Sequence, residues 1–243
     1  MSGTVADVVA RMEAILRPLA RDDGVACFTS LYLSVTKGVQ ARLGEVAFAN
    51  PELLARLDLR FADLFFAAVD ASAQDVRRTP HAWAPLFEAR SRKGIAPLQF
   101  ALAGMNAHIN RDLPVALVET CRETGIAPTD GSPQHTDYLR VNGVLSAVEA
   151  QEKAKYLHGW LLRLDRVLHR VHRLDDVVAM WNVERARDAA WTNALALWAI
   201  RDDRALYDAY VATLDRTVGF AGRGLLVPAD TWLARIGRRL GLA

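Results

Sequence analysis

Three times along this chain of 243 residues a side chain able to cap a helix is followed at once by proline: Asn50-Pro51, Thr79-Pro80 and Ser132-Pro133. A capping side chain accepts backbone N–H groups that the first helical turn leaves unpaired, and proline at the first helical position gives up a donor that has no partner there. Between these markers apolar residues recur at helical spacing, while period-two alternation of β-branched residues with hairpin dipeptides is nearly absent. The expected fold class is all-α: a single globular array of about eight or nine helices, one domain over residues 1–243.

A first helix is expected from Thr4 to about Arg21, stopped by Asp22-Asp23-Gly24, and a second from about Val25 to Phe48 with Phe28, Leu31, Tyr32 and Val35 on one face. The helix after Pro51 carries Leu54, Asp58, Phe61, Ala62 and Phe65 on one stripe. A short helix follows Pro80 and ends at Gly94. The next begins near Pro97 and runs to about Thr124, broken or bent at Pro114. From Pro133 helical periodicity persists to about Leu174, long enough to call for a kink near Gly143 or Gly159. Asp175 opens a helix through Ile200, and another spans about Asp202 to Val218. The stretch GFAGRGLLVP reads as a loop, and Ala229 to Leu240 closes the chain as a basic amphipathic helix.

Composition narrows the partners. Hydrophobic residues make up 51% and charged residues 24%, the profile of a compact chain with a sizeable core. Thirty basic against 28 acidic residues leave a net charge of +2, spread along the chain instead of gathered on a stripe, which argues against nucleic acid. The lysines are Lys37, Lys93, Lys153 and Lys155 and the remaining basic residues are arginine, a habit of GC-rich coding rather than of chemistry. Cys27 and Cys121 stand apart with no metal or disulfide spacing, which fits a reducing cytoplasm. The N-terminus lacks the basic start and apolar run of a secretory signal, and no stretch reaches the ~20 apolar residues of a membrane span.

The stretch LAGMNAHINRDLPVALVE, Leu102 to Glu119, packs Asn106, His108, Asn110, Arg111 and Asp112 among core-type residues. His108 and Asp112 are four apart and share one helical face. At that spacing they can hold one divalent metal, or the carboxylate can orient the imidazole for acid–base work. Pro114 cannot donate to the Asn110 carbonyl, which leaves a further polar group beside them. The plainer reading is a satisfied local pair, with Asn106 and Asn110 capping neighbouring helices.

Asp58 lies on an apolar stripe and so must be paired, metal-bound or protonated; an ion pair with an arginine is the commonest of these. Asp137 is a candidate acid near a helix start, where complementing the helix dipole is the more frequent role. Tyr138 and Asn142 share its inward face. In MWNVERARDAAWTNALALW, Trp181, Arg185 and Trp191 suggest a cation set among aromatic rings, able to hold an anionic or aromatic group or to pair structurally with Asp58 or Asp188. His81, His158, His169 and His172 lack such company. No Walker loop, dinucleotide fingerprint, nucleophile elbow or HExxH occurs, nor the aspartate-rich motif of a class I terpene cyclase.

Taken together, FTSLYLSVTKGV, GMNAHINRDLPVAL, HTDYLRVNGVL and ERARDAAWTNALALW resemble an uncharacterised family of helical bacterial proteins, frequent in actinobacteria, whose most specific piece is an HINxDL core. Here His108, Ile109, Asn110, Asp112 and Leu113 meet it. The resemblance implies a recurring helical scaffold and carries no catalytic residue with it.

The expectation is an enzyme acting on a small organic metabolite in a helix-lined pocket. His108, Asp112, Asp58 and Asp137 are its catalytic candidates. Asn106, Asn110, Tyr138, Asn142, Trp181, Arg185 and Trp191 are its ligand contacts, and His108 with Asp112 is the candidate site for a divalent metal. Two alternatives stand beside it: a metal-free pocket that binds or cyclises an apolar metabolite, and a structural or interaction protein whose polar core groups fix helix register.

Overall fold

A computed structural model describes residues 3–43, 47–145 and 183–228. Among them there are helices and no strand. In chain order these are α1 (Val5–Leu16), α2 (Gly24–Leu43), α3 (Pro51–Gln74), α4 (Ala84–Ala89), α5 (Pro97–Ala107), α6 (Leu113–Thr124), α7 (133–145), α8 (Val183–Ala199) and α9 (Arg204–Leu225). A single turn of 3-10 helix, Val76–Arg78, follows α3, and a π-helical turn, His108–Asp112, joins α5 to α6. The possible kink at Gly159, the helix start at Asp175, the closing helix from Ala229, and Trp181, His158, His169 and His172 lie outside the described residues. Helix α7 runs through Gly143 without interruption.

Local chemistry explains most helix starts. Thr4 and Asp7 form a reciprocal capping box at α1. Asp23 Oδ1 accepts the N–H groups of Val25 and Ala26 at the start of α2, while its Oδ2 accepts from Arg90 beyond α4. At α3 the expected cap is absent: Asn50 makes no side-chain cap, and the Asp137 carboxylate accepts the N–H groups of Ala49 (3.0 Å) and Asn50 (2.7 Å), which lie just before the helix. A partner 87 residues away in sequence thus fixes the lead-in to α3.

The expected break at Pro114 takes another form. The chain stays helical from Pro97 to Thr124 and widens by one residue just before the proline, with the Leu113 N–H bonded to the His108 carbonyl. Proline lacks the N–H that would meet Asn110, and its ring would crowd that carbonyl, so a π turn relieves both problems without ending the helix. This turn touches α3, α5, α6, α8 and α9.

The expected loop after Val218 is also corrected: α9 continues to Leu225. Its glycines serve close packing. A methyl at Gly219 would lie 2.2 Å from the His81 carbonyl oxygen, and Gly222 faces Pro85 and the Asn106 amide. The core has two lobes. Phe28, Phe65, Trp83 and Phe100 centre the one built by α1 to α5, while Leu117, Tyr138, Trp191 and Leu197 centre the one built by α6, α7 and α8. Met105, one turn before the π segment, packs against both.

The α2–α5 crossing is tight because Phe28 lies over Gly104, where a methyl would come within 2.3 Å of the ring. Gly104→Ala is expected to lower stability by about 1–3 kcal/mol through overpacking. Gly224→Ala, with nothing within 4 Å, should raise it by up to about 1 kcal/mol through helix propensity. Urea midpoints of the two variants check this contrast.

Candidate functional site

The stripe Phe28, Leu31, Tyr32 and Val35 on α2 and the stripe Leu54, Asp58 and Phe61 on α3 face one cavity of about 340 Å³. Met105, His108, Ile109 and Leu113 close it from the central helix, and Val141, Leu145, Val183 and Arg187 complete the wall from α7 and α8. Most of that wall is aliphatic or aromatic. The polar groups in it are few, and several have no protein partner.

His108 is held from behind. Its Nδ1 lies 3.3 Å from Asp112 Oδ2, and the carboxylate, with no exposure to solvent, also accepts from Trp83 Nε1 (2.9 Å) and Arg111 Nη1 (2.9 Å). Since Asp112 can only accept, Nδ1 carries the proton and Nε2 presents a lone pair. Among the described residues Nε2 has no hydrogen-bond partner, and it is closed off from bulk water. The imidazole stacks on Phe61 at 3.5 Å between centroids and 6° between planes, with Tyr32 edge-on at 4.5 Å. Burial lowers its pKa below the ordinary histidine value of 6.5 despite the opposing pull of Asp112. The ring is therefore neutral near neutral pH, a proton acceptor in an apolar wall.

Asp58 lies in the same wall, and among the described residues it has no arginine partner of the kind the sequence led one to expect. Burial alone raises its carboxyl to about 6. The Tyr32 hydroxyl, on the facing helix, is buried as well and has no partner among the described residues, and burial together with the fields of Asp58, Asp112 and Asp63 raises its pKa. Tyr32 was legible as an inward-facing residue but not as a site residue; only the pairing of the two stripes reveals it.

The other candidates stand elsewhere. Asp137 tethers the lead-in to α3, and Asn106 Nδ2 donates to the Val218 carbonyl at 3.0 Å. Asn110 donates to Asn106, and Trp191 Nε1 donates to Asp130 while its ring stacks on His135. These are structural bonds away from the cavity. Arg185 is exposed, whereas Arg187, two residues on, is buried in the wall. Tyr138 and Asn142 act through Arg187: Nε donates to Asn142 Oδ1 at 2.5 Å and Nη2 to the Tyr138 carbonyl at 2.9 Å. The buried stripe Val183, Arg187, Ala190, Ala194 and Leu197 is the sequence signal that would have found it.

At the expected metal site the geometry shows His108 and Asp112 engaged with protein groups. The two side chains bond directly to each other, and Asp112 is enclosed by Trp83 and Arg111. Among the described residues no group of three or more His, Cys, Asp or Glu comes together as metal ligands.

A family model described as a family of unknown function, DUF5995, matches residues 5–228. The chain belongs to that family. No curated protein and no solved structure matches it. The stretch matched to DUF5995 contains the whole cavity wall, from Val5 to Arg187. In this DUF5995 chain, among the described residues, no helix is long and apolar enough to cross a membrane.

Asp58 generates a test with a defined sign. A carboxyl whose pKa is raised in the folded chain stabilises it fully below the unfolded value of 3.8, and that contribution is lost as pH rises through about 6. Above that pH the wild type carries an unpaired charge in an apolar wall. Asp58→Asn should therefore stabilise the chain by about 1–2 kcal/mol near pH 7.5, a figure discounted for partial solvent access, and leave stability unchanged near pH 3.5. Denaturant midpoints at the two pH values measure it, and an equal effect at both would show that Asp58 is solvated.

Proposed function

We propose that the cavity binds a small, largely apolar organic molecule and that His108, oriented by Asp112, performs acid–base chemistry on it. One observation carries this reading: Nδ1 of a buried imidazole is fixed by a carboxylate while Nε2 has no hydrogen-bond partner among the described residues, and His108 is one of the residues that line the cavity. A general base needs a lone pair aimed at its substrate and a second group to hold the tautomer, and the pair supplies both. Asp58, half protonated near pH 6, is suited to return a proton to the substrate. A base and an acid in one apolar chamber fit a proton transfer such as an isomerisation: His108 takes one proton from the substrate, Asp58 gives it another, and proton exchange with solvent after product release restores the neutral imidazole and the carboxylic acid.

A carrier that binds without catalysis is the second reading. It is favoured by the closure of Nε2 beneath Phe61 and Tyr32, which leaves an apolar surface toward the cavity. Either way the partner is a small molecule rather than nucleic acid, in keeping with the dispersed charge. Cys27 and Cys121, far apart in the sequence and both buried, fit a cytoplasmic setting, and the arginine-rich, lysine-poor composition fits an actinobacterial source.

Purified protein incubated with a metabolite extract and followed by mass spectrometry distinguishes the readings. Catalysis predicts depletion of one component with appearance of a product, slowed roughly a hundredfold or more in His108→Gln while binding persists. A component that binds and is recovered unchanged would support the carrier. Conversion by His108→Gln at the wild-type rate would remove His108 from the chemistry.

A further inference from the structure

Arg187 lies in the cavity wall at 7% exposure. Asn142 and the Tyr138 carbonyl hold its Nε and Nη2, the guanidinium sits 4.1 Å from the centre of the Tyr138 ring, and the Tyr138 hydroxyl donates back to the Arg187 carbonyl at 2.8 Å. All of these partners are neutral. Among the described residues no carboxylate forms an ion pair with it, and Asp188, next on the helix, is exposed and offsets the burial only in part. The nitrogen left without a protein partner among the described residues is Nη1.

An isolated buried charge is strongly unfavourable unless a counter-charge reaches it. Asp58, the other charged group of the wall, can relieve its own burial by taking up a proton. A guanidinium has no such route, because it keeps its proton at any working pH. It is moreover held in place from two sides, so little freedom is lost when an anion arrives. These facts separate the two charges: the carboxyl adapts to its surroundings, and the guanidinium requires something brought from outside.

We infer that the cavity takes an amphipathic carboxylate, its apolar chain or ring against the aliphatic and aromatic wall and its carboxylate paired with Arg187. The inference rests on the reading of the cavity as a ligand site and adds the sign of the ligand's charge. Tyr138 and Asn142 are then positioning residues for the guanidinium.

Isothermal titration of the full chain with decanoate, 1-decanol and decylamine, near pH 7.5 and below micelle formation, tests it. Decanoate should bind more tightly than the alcohol and the amine by about tenfold or more. Arg187→Met should erase that preference while still taking decanol, and Arg187→Lys should keep part of it. Equal binding of all three by the wild type would leave the pocket standing and overturn the charge assignment, as would tighter binding of the amine. No binding of any of the three would overturn the ligand-site reading and this inference with it. The ranking in the wild-type chain decides by itself, so a variant that fails to fold does not void the test.

Discussion

A carboxylate shut away from water keeps its charge only if donors surround it. Asp112 meets that condition with the indole of Trp83, the guanidinium of Arg111 and the imidazole of His108. Trp83 comes from the turn that leads into α4, and the other two from the π turn. Arg111 Nε in turn approaches Asp215 Oδ1 at 3.4 Å, and Asp215 on α9 accepts the N–H groups of His81 and Ala82. One network of opposite charges thus joins the centre of the molecule to α4 and α9. Pro114 sets its geometry, since the extra residue of the π turn lies within the segment that carries His108, Arg111 and Asp112.

The same carboxylate gives the centre its chemistry. Facing Trp83 and Arg111 it is a structural anchor; facing His108 it fixes a tautomer. The imidazole lies between that anchor and a cavity walled by residues of seven helices and the π turn, with Phe61 and Tyr32 packed on its ring. π turns recur where a helix must aim a side chain that regular spacing would misplace. Here the turn sits where the two core lobes meet, beside an opening lined by both.

The fold was legible in the sequence because its signals are local. Thr4 with Asp7, Pro51, Pro97 and the apolar stripes of α2 and α3 each act within a turn or two of their own position, and both stripes face where periodicity places them. The prominence of His108 and Asp112 was legible too, from the density of polar residues in an apolar helix. What failed were judgements that depend on distant partners. Asn50 looks like a cap but makes no capping bond, and Asp137, 87 residues later, instead binds the N–H groups of Ala49 and Asn50 just before the helix. Asp58 looks destined for an arginine, but none meets it among the described residues. In α8 the tryptophans drew the inward face to Arg185, whereas the buried stripe is turned by two residues and carries Arg187. The glycines of α9 read as a loop because a single sequence does not show which backbone will press against a helix.

The chemistry of the centre depends on His108 being a neutral, Nδ1-protonated imidazole held by Asp112. Nitrogen-15 NMR of histidine-labelled protein across a pH series measures this directly, since the two ring nitrogens report which of them bears the proton. The expected spectrum has His108 protonated at Nδ1 and bare at Nε2 at neutral pH, titrating below the ordinary value of 6.5, with the tautomer disturbed in Asp112→Asn. A His108 protonated at Nε2, or one that titrates at or above the ordinary value, would contradict it.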